Sequence, residues 1–494
     1  MAIVAPALPR SMARVGCLAR YGVRFAGSGR GSMPVPMGNP EEAGMCAARL
    51  GRATELMEKV VRQRRLPYAR LAVVRKGRLV FDSSVGSELG TPADDGVYRL
   101  FSMTKIFTSV AYAVLMEKYG AFLDDPLAKY LGSKWAQQQV YISGDAASPN
   151  LVPASRPVTV RDCLTHTSGL YYPGLLLMFN ADLSVPEQLM IGRGLGLPLD
   201  HAQCNAVAEL GLAGYVDAQA DLPLKFQPGS AFEYGTGHMV VGRVIEVASG
   251  MPLADFMRKE VLDPLGCSEA TGWYPKDKDG LMPMYVFASS LESPKVDFST
   301  PLVDVSTLGP TSHHFGSMHI NDALRASGAA IYGDAQLIAT IADCLRLTEM
   351  LTHYGRTADG GHLLAPATAR MLIGNCLPQG QALDWNIGGR GSLGVGDAFV
   401  GPMRAALTSQ GIVGYGLGGL TWRPGAVERA GNIACQPGAY NWQGAASTMI
   451  QADPAKDLSI VFMSQCVGAM NQPELGPFGS VMQAVYQSIV DDIV

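Results

Sequence analysis

The chain has 494 residues, of which 48% are hydrophobic and 17% are charged, and its formal net charge is −4. This composition excludes an intrinsically disordered, fibrous or coiled-coil protein, and it gives no basic surface for binding nucleic acid. No uninterrupted apolar run reaches the roughly 18 residues needed to cross a membrane. The sequence therefore predicts a soluble globular protein with a large core and no transmembrane segment.

The first 44 residues and the cysteines indicate the compartment. No Asp or Glu precedes Glu41, whereas five arginines do. An arginine-rich, acid-free composition is typical of an organellar transit peptide, so we expect residues 1–44 to be a leader for a mitochondrion or another organelle. A disordered leader retained on a cytoplasmic protein is the alternative. Nine scattered cysteines predict free thiols in a reducing compartment rather than disulfides or a zinc site.

Hydrophobic periodicity predicts an orderly succession of elements after the leader. An apolar stripe with helical spacing predicts a helix over 49–65. Two short apolar runs on either side of Lys76-Gly77 predict a β-hairpin over 71–81. A strongly apolar stretch predicts a helix over 101–119, and Gly120 stands where a helix C-cap is expected.

The middle of the chain predicts helices and loops, and the C-terminal part predicts strands. A Pro- and Ser-containing excursion over 268–320 is long enough to be a lid or an insertion. The predicted helices cover 159–164, 242–248, 253–262, 338–351 and 479–493. The predicted strands cover 414–422, 443–452 and 458–464. Strands at both ends with helices between them predict an α+β fold, in which both ends of the chain contribute to one sheet and a mostly helical lobe is inserted.

Ser102 and Lys105 form the sharpest local motif. Their spacing at a predicted helix start places the hydroxyl and the amine on one face, nearly one turn apart. A serine hydroxyl is a poor nucleophile until a base takes its proton, and a lysine becomes such a base when burial favours its neutral amine. The helix N-terminus also favours negative charge on the serine oxygen. The pair indicates a nucleophilic serine, although Ser-x-x-Lys alone is a loose pattern.

Several ordered segments resemble the serine β-lactamases, the penicillin-binding proteins and, most of all, the related family VIII carboxylesterases. The resemblance spans about residues 45–490, and its order makes it far more specific than any single motif. The segments are FSMTKIF at 101–107, TVRDCLTHTSGL at 159–170, LKFQPGSAFEY at 224–234, GRVIEVASG at 242–250, LIATIAD at 337–343 and DPAKDLSIVFMS at 453–464.

This resemblance implies a β-lactamase/transpeptidase-like fold with an antiparallel sheet flanked by helices, formed by a single catalytic domain over 45–490. The sheet lobe would comprise about 45–120 and 400–494, and the helical lobe about 121–399.

The resemblance also assigns roles to individual residues. It implies that Ser102 is the nucleophile that accepts the acyl group and that Lys105 is its base or proton shuttle. Tyr234 would be the tyrosine held close to both, because a phenol can exchange a proton with a lysine. The backbone N–H groups of Ser102 and Ala445 would form the oxyanion hole.

Two departures from the family pattern bear on the substrate. The family's Tyr-x-Asn is Tyr234-Gly-Thr236 here, so a hydroxyl replaces an amide, and Thr236 would substitute for it only in part. The Lys-Thr-Gly strand motif corresponds to Trp442-Gln-Gly444. A lysine there would bind a substrate carboxylate, whereas Trp442 provides an apolar wall. We therefore expect Thr236, Trp442 and Gly444 to line a substrate site that favours uncharged acyl donors.

Other motifs favour a structural interpretation. His166 and Ser168 could suggest a Ser-His pair, but the family segment that contains them is a structural turn. His238 is expected to be an interior histidine. His313, His314 and His319 have no acidic or Cys partner at metal-ligand spacing.

No cofactor or metal is expected from the glycine motifs either. Two Gly-x-Gly-x-x-Gly matches lie at 389–394 and 414–419, and neither is placed in a βαβ unit. There is no Gly-x-Ser-x-Gly motif of an α/β-hydrolase.

The sequence thus predicts a serine hydrolase, an esterase that cleaves a small-molecule ester through an acyl-enzyme on Ser102. An acyltransferase with the same acyl-enzyme is an alternative, and so is a β-lactamase or D,D-peptidase. A non-catalytic scaffold with the same fold is a further alternative, favoured by Thr236 and the 268–320 excursion. The expected partner is a small-molecule acyl substrate. The sequence does not distinguish a monomer from a homo-oligomer.

Overall fold

The computed structural model describes most of the chain beyond the first 31 residues. The described residues are 32–171, 184–192, 201–273, 280–292, 297–305, 333–378, 411–472, 474–475 and 479–491.

The central element is a seven-stranded antiparallel sheet with the order β2-β1-β13-β12-β11-β10-β9. Two strands come from the N-terminal part and five from the C-terminal part, so the two ends of the chain meet where β1 pairs with β13. The strands of this sheet are β1 (Ala69–Arg75), β2 (Arg78–Val85), β9 (Val413–Tyr415), β10 (Leu420–Trp422), β11 (Tyr440–Gly444), β12 (Thr448–Asp453) and β13 (Leu458–Met463).

Three small antiparallel pairs accompany the main sheet: β3 with β8, β4 with β5, and β6 with β7. Their strands are β3 (Val97–Arg99), β4 (Gln139–Gly144), β5 (Pro149–Pro153), β6 (Tyr285–Phe287), β7 (Leu302–Asp304) and β8 (Ile338–Thr340). The helices of the described part are α1 (Ala47–Arg62), α2 (Thr104–Tyr119), α3 (Ala128–Leu131), α4 (Val160–Leu164), α5 (Val185–Gly192), α6 (His201–Gln219), α7 (Gly237–Ser249), α8 (Leu253–Met257), α9 (Ser289–Glu292), α10 (Ile341–Thr352), α11 (Pro366–Ile373), α12 (Ala426–Ala430) and α13 (Ser480–Gln487).

Both faces of the sheet are covered, which explains its continuous apolar strands. Every residue of β1 is buried, and successive side chains alternate between the faces. Leu71 and Val73 pack in one core with α1 and α13, whereas Ala72 and Val74 pack in the second core with α2 and α10. The α+β fold with an antiparallel sheet and flanking helices is therefore confirmed.

Helix α2 is buried on all sides along most of its length. Each residue from Thr104 to Leu115 is buried, as expected for a helix in the centre of a large domain rather than on its surface. The predicted C-cap is confirmed, because Gly120 adopts the left-handed conformation with φ 70°. The predicted hairpin is also confirmed, with Lys76 (φ 49°) and Gly77 (φ 67°) at its tight turn.

Three sequence predictions were wrong in detail. The predicted strand over 414–422 is a hairpin of β9 and β10, and the predicted strand over 443–452 is divided between β11 and β12. In both cases a tight turn interrupts the apolar run. The predicted helix over 338–351 begins with β8, which pairs with β3 before α10 starts at Ile341.

Parts of the predicted leader and of the excursion are visible. Residues 32–44 of the predicted leader contact the main sheet, where Met37 bridges to Leu79 in β2, while residues 1–31 lie outside the described residues. Within the excursion, β6 and β7 pair with each other, and Tyr285 bridges to Cys466 at the end of β13. Seven of the nine cysteines have described side chains, and all seven are free thiols. No helix of the described part is long and apolar enough to cross a membrane.

Arg75, at the end of β1, joins both ends of the chain to the sheet. Its side chain is completely buried. Nη1 donates to the carbonyl oxygens of Ala43 and Gly44, both at 2.8 Å, and Nε donates to the carbonyl of Lys456 at 3.2 Å. Nη1 also lies 2.6 Å from a carboxylate oxygen of Asp491. One guanidinium thus donates to carbonyls of two separate segments and forms an ion pair with the carboxylate of a third.

We expect Arg75→Met to lower the free energy of unfolding by about 3 kcal/mol, because it leaves buried carbonyls and a carboxylate without their donor. Urea denaturation measures this loss. Arg78→Met removes an exposed arginine of the same hairpin and should change the free energy by less than about 0.5 kcal/mol. Equal effects of the two variants would contradict the role given to Arg75.

Candidate active site

Ser102 lies in a strained turn that leads directly into the buried helix α2. Residues Phe101–Met103 form one turn of 3-10 helix, and Phe101 has φ 46°, a left-handed conformation that is unfavourable for a bulky residue. The ring of Phe101 is buried against Met284, Val286 and Ala446, which holds this conformation. Ser102 itself stays partly exposed, so its hydroxyl is accessible although its neighbours are not.

The structure brings the three predicted catalytic side chains together. Tyr234 Oη donates to Ser102 Oγ at 2.8 Å, across 132 residues of sequence. Lys105 Nζ lies 3.5 Å from the same oxygen and 4.7 Å from the centre of the Tyr234 ring. Two groups that can carry a proton therefore surround one partly exposed hydroxyl.

Lys105 contacts Asp334, a residue that the sequence analysis did not identify. The Lys105 side chain is 1% exposed, and its Nζ donates to the backbone carbonyl of Asp334 at 2.9 Å. The Asp334 carboxylate, 2% exposed, approaches the same nitrogen at 3.9 Å. No motif marks this aspartate, because it acts on Lys105 through the tertiary packing of a segment more than 200 residues away.

Two glycines fix the backbone of the Tyr234 segment. A Cβ at Gly235 would overlap the carbonyl of Leu170, and a Cβ at Gly237 would overlap the carbonyl of Cys163. The segment therefore packs backbone to backbone on the turn that follows α4. Thr236, between the two glycines, is buried, and its hydroxyl accepts a hydrogen bond from Gln219 Nε2 at 2.7 Å. Its predicted contact with substrate stays a prediction.

His166 supports Tyr234 rather than pairing with Ser168. Its Nδ1 accepts from the Gly235 N–H at 3.1 Å, and its ring centre lies 4.5 Å from that of Tyr234. The Ser168 hydroxyl instead accepts from the Leu170 N–H. Burial, together with the charge of Lys105, holds the pKa of His166 well below its usual range. His166 is therefore a neutral imidazole whose proton is on Nε2.

His238 belongs to the same interior cluster, as expected for an interior histidine. Its ring centre lies 5.1 Å from that of His166, and its Nε2 lies 3.2 Å from Ser109 Oγ, which donates to the carbonyl of Lys105 at 2.8 Å. Because the Ser109 proton is already used, His238 Nε2–H is the donor to Ser109. Burial, then His166 and Lys105, lower the pKa of His238 well below its usual range, so this ring is also neutral.

The turn after β11 lies beside the turn that carries Ser102. A Cβ at Gly444 would overlap the carbonyl of Leu100, which explains why glycine is needed there. Thr448 Oγ1 also donates to that carbonyl, at 3.3 Å. Ala445 follows Gly444 directly, and the Ser447 N–H closes the turn on the carbonyl of Gly444 at 3.0 Å. The packing thus brings the segments of Ser102 and Ala445 into contact.

Trp442 forms an aromatic wall next to Tyr234. Its ring centre lies 5.8 Å from that of Tyr234 and 5.5 Å from that of Tyr415. Tyr415 is completely buried and also touches His166, at 5.4 Å. The Trp442 ring is therefore supported by a buried neighbouring ring.

A buried charged cluster anchors the backbone next to Tyr234. Lys225 donates to Glu187 at 2.7 Å and to Glu233, and all three side chains are at most 8% exposed. Burial raises the pKa of Glu233 to about 7, although the charge of Lys225 opposes this shift. The cluster ties α5 to the residue that precedes Tyr234.

The glycine and histidine motifs were considered in the sequence as possible cofactor or metal sites. The glycines at 414–419 belong to the β9–β10 hairpin, so they do not form a nucleotide-binding turn. The glycines at 389–394 and the histidines His313, His314 and His319 lie outside the described residues. Within the described ranges, no group of three or more His, Cys, Asp and Glu side chains could hold a metal ion.

The chain is similar to several known proteins. Lovastatin esterase from Penicillium rubens is 27% identical over 330 residues, which are 66% of this chain and 70% of that protein. Esterase EstB from Burkholderia gladioli is 32% identical over 230 residues, which are 46% of this chain and 51% of EstB. The solved structure of EstCE1, a hydrolase with promiscuous acyltransferase activity, has the same fold, with a TM-score of 0.63 and 20% identity over 90% of this chain and 99% of that one.

The Beta-lactamase family model matches residues 53–476. This range contains the whole of the cluster built around Ser102. The chain therefore belongs to the β-lactamase family.

Proposed function

We propose that the protein is a serine esterase that cleaves a small-molecule ester through an acyl-enzyme on Ser102. The observation that carries this proposal is the convergence of Tyr234 Oη, at 2.8 Å, and Lys105 Nζ, at 3.5 Å, on a partly exposed serine hydroxyl. The esterases among the family relatives support the same activity.

In the first step, Ser102 Oγ attacks the carbonyl carbon of the ester, and its proton passes to the Lys105–Tyr234 pair. The attack forms a C–O bond and places a negative charge on the carbonyl oxygen. The N–H groups of Ser102 and Ala445 stabilise this oxyanion, a contribution worth roughly 3–4 kcal/mol per donor in known serine hydrolases. The C–O bond to the alcohol then breaks, and the alcohol takes the proton back from the pair.

The second step reverses the first with water as the nucleophile. Water loses a proton to the Lys105–Tyr234 pair and attacks the acyl carbon, and the bond to Ser102 Oγ breaks as the oxygen regains a proton. An alcohol or amine in place of water would make the same site an acyltransferase. Hydrolysis and acyl transfer therefore share every residue of the proposed machinery.

Trp442 determines the class of substrate in this proposal. A lysine at this position would pair with the carboxylate of a β-lactam or of a peptidoglycan peptide, whereas the Trp442 ring and the supporting Tyr415 ring carry no positive charge. Burying a carboxylate against such a wall without a cation is unfavourable. The site therefore favours uncharged acyl groups and disfavours the β-lactamase and D,D-peptidase alternatives.

Ser102→Ala should abolish labelling by a fluorophosphonate probe and lower ester hydrolysis by roughly 10⁴-fold, because no other nucleophile replaces the hydroxyl. Mass spectrometry of the labelled protein and an assay with p-nitrophenyl esters measure the two effects. Ser168→Ala is the matched control, because it removes a serine hydroxyl of the neighbouring turn, and it should be labelled like the wild type. A folded wild-type protein that takes no label would support the non-catalytic scaffold.

Tyr234→Phe should lower kcat by 10²- to 10⁴-fold with little change in KM, because it removes a group that moves a proton in the transition state and leaves the apolar ring in place. Steady-state kinetics with a p-nitrophenyl ester measures this. Tyr415→Phe removes a hydroxyl from the adjacent ring, which does not contact Ser102, and it should retain kcat within a few-fold. A similar loss in both variants would show that packing, not proton transfer, explains the effect.

The wild type should hydrolyse the p-nitrophenyl ester of butyrate at least about tenfold more efficiently than the corresponding monoester of succinate, since one unpaired buried charge costs at least about 1.4 kcal/mol. The ratio of the two kcat/KM values is the measurement. Trp442→Phe keeps an apolar ring and should retain the preference. Equal or faster cleavage of the anionic ester, or rapid turnover of a penicillin, would overturn the assignment of Trp442.

A further inference from the structure

The segment 333–337 is hydrogen-bonded to the first turns of α2, the helix that carries Lys105. The Gly333 carbonyl accepts from Thr108 Oγ1 at 2.5 Å, and the Leu337 N–H donates to Thr104 Oγ1 at 3.1 Å. The Leu337 carbonyl also accepts from the N–H of Leu100 at 2.9 Å. The segment is thus fixed on both sides of residue 334, which faces Lys105.

The Asp334 carboxylate is buried next to the amine of Lys105. Its Oδ2 lies 3.9 Å from Lys105 Nζ, and the two side chains are 2% and 1% exposed. An isolated charge at such a depth is strongly unfavourable, whereas an opposite charge at this distance compensates much of the cost. The carboxylate and the ammonium group therefore attract each other in the interior.

Among the described residues, Tyr234, His166 and His238 are the other titratable groups near Lys105. Tyr234 presents its ring, 4.7 Å from Nζ. His166 and His238 are neutral, because burial and the charge of Lys105 hold the pKa of each well below its usual range. Neutral imidazoles can neither repel nor neutralise the ammonium group.

We propose that Asp334 is a positioning residue that sets the charge state of Lys105 and the direction of its amine toward Ser102. The proposal rests on the proposed function, since Lys105 matters through the proton it exchanges with Ser102. The backbone carbonyl of Asp334 orients the amine, at 2.9 Å, and its carboxylate favours the ammonium form. In that form Lys105 holds the proton that the leaving alcohol takes up in the proposed first step.

The first test compares the pH dependence of kcat/KM in the wild type, Asp334→Asn and Asp334→Glu. Removing the carboxylate favours the neutral amine, so in Asp334→Asn the limb of the profile that reports Lys105 should move to lower pH by about one unit or more. Asp334→Glu retains the charge and should keep the limb near its wild-type position. Glu349→Gln, which removes a buried carboxylate beside His353, is the control and should not move the limb.

A profile of Asp334→Asn that superimposes on that of the wild type would overturn the proposal. The pH dependence of fluorophosphonate labelling at Ser102 provides the same readout without turnover. Failure of the wild type to react with the probe would overturn the proposed function itself. A wild type that reacts, with a profile that Asp334→Asn leaves unchanged, would overturn only the role of Asp334.

A second test needs no activity. Lys105→Met removes the ammonium group that faces the buried Asp334 carboxylate, so it should lower the midpoint of thermal unfolding, Tm. Adding Asp334→Asn removes that charge, and the double variant should have a higher Tm than Lys105→Met alone. A double variant that is less stable than Lys105→Met would show that the two groups are not charge partners, and it would contradict the proposal even if Asp334→Asn alone did not fold.

Discussion

The burial of Lys105 inside helix α2 is the constraint on which the site depends. A lysine amine that is 1% exposed cannot be solvated, so every polar group around it must come from the protein. The carbonyl of Asp334, the hydroxyl of Ser102 and the ring of Tyr234 fill that role. They come from three distant parts of the chain, and a site of this kind exists only when the whole domain is assembled.

The same constraint explains the close backbone approaches around the site. Gly444 allows the strand β11 to press against the carbonyl of Leu100, and Gly235 and Gly237 allow the Tyr234 segment to lie on the turn after α4. Each glycine removes a side chain that would push two segments apart. The distances between Ser102, Lys105 and Tyr234 are thus set by backbone packing, which is stiffer than side-chain packing.

The sequence predicted those features that local patterns encode. The helix over 101–119, its glycine cap and the hairpin around Lys76-Gly77 follow from periodicity and turn chemistry, and the order of the motifs indicated which residues would meet. It did not reveal the turn that splits the run after Gly444, because an apolar run carries no mark of its reversal. It also missed Asp334, the support of Tyr234 by His166, and the donor to Thr236 from Gln219, since each is a contact between segments far apart in sequence.

The placement of charged and aromatic side chains around Ser102 bears on the substrate preference that we propose. The charges of the catalytic centre are placed behind Ser102, where Lys105 and Asp334 face each other at 3.9 Å, whereas the wall built from Trp442 and Tyr415 is aromatic. An ion pair screens its own field, so the described residues around Ser102 offer little attraction to a charged acyl group, and the neutral histidines add none. Under the proposed function, the aromatic ring of Trp442 thus favours uncharged esters, while the groups proposed to transfer the proton, Lys105 and Tyr234, act on the bound ester whatever its acyl group.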